Sequence, residues 1–191
     1  MNSKQSYRAS RLTLKNLARC NVPVTAPKKS ADGAPVCQAL SSEHAASLAL
    51  FFGRLRQANI ENFFHPHPLT SEEAVARANY SGQDFYCVML QENEVIGYGM
   101  LRGWDEGYAV PSLGIALDPS IRGRGYGRLL MDYLRDAAKK RGVTRIRLKV
   151  DPRNSPAIEL YRSLGYALEE QEDQQLIGFL SLASDDSRKD A

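Results

Sequence analysis

Long apolar runs are missing from this chain of 191 residues. A stretch such as Leu48 to Phe52 stops at five residues, far short of the ~20 a membrane-spanning helix needs, so no membrane partner is expected. Cysteine is scarce. Cys20, Cys37 and Cys87 are an odd three without paired spacing, which argues against a disulfide framework and for a reducing, cytoplasmic setting. Cys87 lies in an apolar run and reads as core, and no cysteine stands beside a histidine or an acid as a catalytic pair would. Internal repeats are also absent.

Acid is nearly missing from the first 37 residues, which hold Asp32 against seven cations, Lys4, Arg8, Arg11, Lys15, Arg19, Lys28 and Lys29. The net charge of the chain is +3, so the rest of it is acidic overall. The basicity belongs to an extension and gives no reason to expect nucleic acid as a partner. Residues 1–34 read as a flexible basic extension, in preference to an organelle leader of similar composition. Residues 35–182 read as one domain, with 183–191 as a polar tail. Apolar residues at 43% and charged residues at 25% suit a globular body.

Two familiar phosphate loops are excluded by what does not follow Arg122-Gly123-Arg124-Gly125-Tyr126-Gly127. No Lys-Ser/Thr comes after Gly127, which rules out a P-loop. Position 128 is arginine, and no acid ends a following strand at the expected ~20 residues, which rules out the dinucleotide fingerprint. What is present is a glycine-rich turn between a strand, Ser112 to Leu117, and a helix predicted over 128–141. Leu129, Leu130, Tyr133, Leu134, Ala137 and Ala138 give that helix one apolar face. Such a turn aims backbone N–H groups at one spot, and the helix dipole adds to them. The expected ligand is a phosphate.

Downstream, Arg145 to Val150 alternates with period two and reads as a strand. Ser155 is the expected N-cap of the next helix, with Pro156 behind it and Gly165 as its stop. Upstream, a short strand near residues 35–40 precedes a helix capped by Ser41 or Ser42, with Ala45, Leu48, Phe52 and Leu55 inward. Thr70 and Glu73 have the form of a capping box. Phe85–Leu90 and Val95–Leu101 read as a hairpin turning at Glu92-Asn93-Glu94, and 166–169 and 175–182 as two final strands.

Arg122, Gly125 and Gly127 fit the pattern Arg/Gln-x-x-Gly-x-Gly. Starting 27 residues after Gly127, Asn154, Ala157, Leu160, Tyr161 and Gly165 fit Asn-x-x-Ala-x-x-Leu-Tyr-x-x-x-Gly-Phe, with Tyr166 in place of the Phe. In these two motifs, in this order, the chain resembles the GNAT superfamily of acetyl-CoA-dependent N-acetyltransferases. The resemblance implies an α/β fold with a mixed central sheet of about six to seven strands and about four flanking helices. It implies acetyl-CoA as co-substrate and no metal. The cofactor-binding residues it implies are Arg122, Gly123, Arg124, Gly125, Tyr126 and Gly127 for the pyrophosphate, Ile115, Ala116 and Leu117 for the pantetheine arm, and Asn154 as a cofactor contact or helix-start ligand. It implies Tyr161 as the acid that protonates the leaving sulfur.

The general base is less legible. Glu106 is the candidate chosen, with Asp105, His65, His67 and a water chain as alternatives. His65-Pro66-His67 lacks the companion ligands a metal would need. The expected partner is a small-molecule primary amine, and a homodimer is compatible with the sequence. Two rivals stay open: acetylation of a protein lysine or N-terminus, and a non-catalytic acetyl-CoA sensor.

Overall fold

The computed structural model describes residues 33–64, 66–170 and 175–182. The two expected tails and His65 fall outside them. The chain forms a seven-stranded sheet in the order β1-β2-β3-β4-β5-β7-β6. Its strands are β1 (Val36–Ala39), β2 (Phe85–Gln91), β3 (Glu94–Arg102), β4 (Ser112–Leu117), β5 (Arg145–Val150), β6 (Ala167–Glu170) and β7 (Leu176–Ser181). All neighbours are antiparallel except β4 and β5. The helices are α1 (Ala45–Gln57), α2 (Ser71–Ala78), α3 (Tyr126–Lys140) and α4 (Ser155–Ser163). This is the expected mixed α/β architecture.

Period-two alternation sorts the strands onto two cores. Tyr86, Val88, Tyr98, Met100 and Ala116 join Leu48, Phe51, Phe52 and Leu55 of α1 under one face. Cys87, Met89, Leu113, Ile146 and Leu148 join Leu130, Met131, Leu134 and Ala138 of α3 under the other, with Ile158 and Tyr161 of α4. The β2–β3 turn uses Glu92 and Asn93, both at positive φ (51° and 70°), the twist a two-residue hairpin turn demands.

Three local expectations need correction. Asn154, not Ser155, caps α4: its side chain accepts from the Ala157 N–H at 3.4 Å, which makes Ser155 the first helical residue. Thr70 accepts from the Glu73 N–H at 3.2 Å, but the Glu73 carboxylate pairs with Arg77 Nε at 2.7 Å instead of completing a capping box. Phe51, more than Ala45, fills the inward face of α1.

Gly53 stands inside α1, where an added Cβ would meet nothing within 4 Å. Glycine in a helix interior costs about 0.5–1 kcal/mol relative to alanine. Gly53→Ala should therefore raise unfolding stability by that amount. Chemical denaturation with an unchanged m-value would check it.

Candidate active site

The sheet is split between β4 and β5. Their parallel register holds only at Ser112–Arg147 and Leu113–Leu148, with the Arg147 N–H donating to the Pro111 carbonyl at 3.1 Å. On its other edge β4 stays paired with β3 from Ser112 to Leu117. The stretch Gly114 to Leu117 therefore presents an edge toward β5 that β5 does not pair. Unpaired backbone of this kind accepts an added extended ligand, and it includes Ile115, Ala116 and Leu117.

At the open end of this fork the chain turns through a 3-10 segment, Pro119–Ile121. Asp118 builds the turn: it accepts from the Ser120 N–H at 3.0 Å and the Ser120 hydroxyl at 2.7 Å. Arg54 of α1 donates to the same carboxylate at 2.6 Å and to the Val95 carbonyl at 2.7 Å, tying the turn to the opposite core. Burial works to raise the Asp118 pKa, but the Ser120 and Arg54 bonds outweigh it and hold it below the usual carboxylate range. The folded value thus lies under the unfolded ~3.9. The stabilisation is present above about pH 4 and disappears as pH falls through the folded pKa. In a Tm-versus-pH comparison with Asp118→Asn, the wild-type advantage should hold above pH ~4 and close below it.

After Ile121 come Gly123 and Gly125, both left-handed (φ 75° and 79°). Gly125 is the N-cap of α3 and supplies no side-chain cap, so the first N–H groups of the helix have no intrahelical partner. Arg122 and Arg124 are exposed beside them. Gly127 has a different role from its neighbours. A Cβ there would lie 2.9 Å from Leu160 Cδ2 and 3.4 Å from Leu117 Cδ1, so this glycine seats the first turn of α3 between the end of β4 and α4. The half-buried Tyr126 packs on the α3-side core.

Tyr161, next to Leu160 on α4, lies in the α3-side core. Tyr161 is 6% exposed, its ring 5.9 Å from that of Tyr166, and burial pushes its pKa up to about 12. Its hydroxyl makes no hydrogen bond among the described residues. It is a neutral phenol across the physiological range.

Residues 52–166, which include the split strand pair and the glycine-entered helix, match the model of the acetyltransferase (GNAT) family. This chain belongs to the GNAT family. It is similar to the ribosomal protein bS18-alanine N-acetyltransferase of Salmonella typhimurium, 46% identical over 52 residues, 27% of this chain and 35% of that protein. The match thus spans about a third of that relative's length. It is 31% identical to the mycothiol acetyltransferase of Thermobifida fusca over 135 residues, 69% of this chain and 38% of that one. Its fold superposes on yncA of Salmonella typhimurium, solved with acetyl-CoA, at a TM-score of 0.64 and 17% identity, covering 79% of this chain and 95% of that one.

Among the base candidates of this GNAT chain, two are committed elsewhere. Asp105 accepts from the Tyr80 hydroxyl and from the Gln83 N–H at 2.8 Å. The Tyr80 bond, then the Gln83 N–H, hold its pKa low. His67 has Nδ1 2.9 Å from the Pro68 carbonyl and Nε2 3.1 Å from the Tyr98 hydroxyl, and its ring packs among Phe52, Phe64 and Tyr98. Burial lowers its pKa, so it is a neutral structural imidazole. Glu106 is exposed in the turn before β4, and no hydrogen bond described connects it to the fork or to Tyr161.

Sequence reasoning missed the residues that fix these loops. Buried Asp84 accepts from the Gly103 and Trp104 N–H groups at 2.8 and 2.9 Å. Arg102 donates to the Pro66 carbonyl at 2.6 Å, joining the 61–69 loop to the end of β3. The Arg153 guanidinium, held by Asp151, lies 5.9 Å over the Phe63 ring. Among the described residues no cluster of His, Cys, Asp and Glu could hold a metal, and no helix is long and apolar enough to cross a membrane.

Proposed function

We propose that the protein moves an acetyl group from acetyl-CoA to a primary amine of a small molecule by direct attack. The observation that carries this reading is the fork between β4 and β5, opening onto the uncapped N-terminus of α3. The N–H groups of Gly123 to Gly127, with Arg122 and Arg124, would hold the pyrophosphate. The free edge of Ile115, Ala116 and Leu117 would pair with the pantetheine arm. One N–H of that edge would stabilise the carbonyl oxygen as it becomes anionic, an interaction typically worth ~10²–10³ in rate. The amine nitrogen forms its bond to the acetyl carbon as the carbon–sulfur bond breaks, and Tyr161 donates toward the departing sulfur. Glu106, or a water chain, takes the proton the amine loses, since Asp105 and His67 are engaged. Asn154 serves as the α4 cap, and its amide N–H groups stay available to the cofactor.

A narrowed acceptor side would favour a small acceptor over a protein. The Arg102–Pro66 bond and the Phe63–Arg153 contact draw the 61–69 loop across from the end of β3 to the end of β5. The likeness to a ribosomal-protein acetyltransferase keeps a peptide N-terminus as the second reading. Free Cys37 and Cys87 fit a cytoplasmic setting, which belongs to the same proposal. Calorimetry with coenzyme A and thiol release from acetyl-CoA over a panel of amines and peptides test it. Absence of coenzyme A uptake would overturn the reading, uptake without thiol release would favour a sensor, and release with peptides alone would favour the protein acceptor.

A further inference from the structure

The half-buried arginines of this structure follow a rule with one departure. Arg54 has Asp118 at 2.6 Å, Arg77 has Glu73 at 2.7 Å, Arg102 has Asp84 at 3.8 Å and Arg135 has Asp132 at 3.0 Å. Arg147 is equally half-buried, yet among the described residues its side chain has neither a carboxylate nor a hydrogen-bond acceptor. A guanidinium carries five N–H donors in a planar fork, and those of Arg147 stay open to solvent with no protein acceptor among the described residues to compete for them.

The surroundings of Arg147 have the form of a binding wall. Ile146, Leu148 and Val150 of β5 are buried against the α3 side, so Arg145, Arg147 and Lys149 share the opposite face. The α1/α2 core takes buried residues from β2, β3 and β4 and, among the described residues, none from β5, β6 or β7. Among the described residues, therefore, neither α1 nor α2 packs its apolar face over these cations. Beside them in register are Ser112 on β4 and Phe179 on β7. The Arg145 guanidinium sits 3.9 Å over the Phe179 ring, which holds it flat and leaves its edge available. Within the described strands β5, β6 and β7, Glu169 is the acid on this face, exposed one strand farther away, opposite Ile177. Arg147 pairs with Ser112 just before the fork opens. It therefore borders the closed end of the fork on the α1/α2 face of the sheet.

We infer that Arg147, flanked by Arg145, binds an anionic group of the acceptor, so that the substrate is a small amine carrying a carboxylate or a phosphate. The inference rests on the acetyl-transfer reading and names its substrate class. A small anion fits better than a polyanion, because the net positive charge of the chain is concentrated in its first 37 residues and the local cation set is confined to one strand. The planar fork of Arg147 suits two-point contact with either oxyanion.

Matched acceptors test it: amino acids against their amides, and amino-sugar phosphates against the unphosphorylated amino sugars, in thiol release from acetyl-CoA. The anionic members should be preferred by tenfold or more in kcat/KM, and whichever pair shows the larger preference identifies carboxylate or phosphate. Arg147→Gln should reduce that preference by about tenfold to a hundredfold, the range for a lost charged hydrogen bond. Arg147→Lys should keep part of it, and coenzyme A affinity should be unchanged in both. Equal use of neutral and anionic members, or a preference untouched by Arg147→Gln, would overturn the inference. If the protein takes up coenzyme A but turns over no amine, the acetyl-transfer reading falls separately. The anion site is then judged by calorimetry of inorganic phosphate and citrate on the coenzyme A-loaded protein. Binding lost in Arg147→Gln sustains it, and no binding, or binding unaffected by the change, overturns it.

Discussion

Tyr161→Phe should lower kcat by about 10²–10⁴, the range for a lost general acid, with little change in coenzyme A affinity. The substitution suits the test because it leaves the packing alone. The ring stays against Tyr166 and the α3-side core. The hydroxyl has no internal partner among the described residues, so its removal strands no buried group. A loss of turnover would then report chemistry and not folding. The size of the loss follows from the proton balance. A phenol near pKa 12 is a far weaker acid than a thiol near ~8.5. Complete transfer to the sulfur is uphill unless the bound thioester changes that balance, so donation of a hydrogen bond as charge builds carries most of the effect. The loss should therefore fall toward the lower end of the range. The sign of the pH dependence follows too. With the folded pKa raised above the unfolded ~10, the neutral phenol and its share of stability are intact below pH ~10 and are lost as pH rises toward 12. No alkaline limb from this group should appear below pH ~10. The decisive measurement is kcat with an acceptor slow enough to make chemistry rate-limiting, and unchanged turnover there would remove Tyr161 from the mechanism.

What could be read in advance was local and periodic. Arg145 to Val150 alternates in sequence and is a strand over those same residues, because a two-residue period has no other way to bury one face. The glycines of the loop announce positive φ at 123 and 125. Between Asn154 and Ser155, however, both side chains are competent caps, and sequence preference does not decide which residue leaves the helix. Gly127 fits the loop motif in sequence, but that a side chain there would meet Leu160 is a constraint made only once α3 and α4 pack. Arg54 and Asp118 are 64 residues apart and meet at 2.6 Å, and no local pattern carries such a pair. Arg147 lay in plain view as the polar phase of an alternating strand. What sets it apart is the missing carboxylate, which becomes visible only against the other arginines in three dimensions. His67 reads in sequence as a candidate base and folds as a hydrogen-bonded part of an aromatic core, since its chemistry depends on which lone pair is left over.

Gly125→Val should weaken coenzyme A binding by at least about tenfold while leaving the sheet intact. At φ 79° Gly125 is left-handed, a conformation that costs an L-residue roughly 1–2 kcal/mol and suits a β-branched one still less. Space is not the obstacle, because a Cβ there would meet nothing within 4 Å. The effect therefore isolates backbone conformation from crowding. To escape the strain, the chain must rotate the peptide that enters α3, turning the first N–H groups of the helix away from a common point. Those groups act together, so misdirecting them costs more than the torsional strain alone. Arg122 and Arg124 would still attract an anion from solution, but exposed charges are screened by salt over ~10 Å at 0.1 M. Residual binding in the variant should consequently be steeply salt-dependent, whereas binding to converging N–H donors in the wild type should be less so. Calorimetry at two ionic strengths separates the contributions. Equal affinity and equal salt dependence in the two proteins would mean that the loop between β4 and α3 does not grip the pyrophosphate through its backbone.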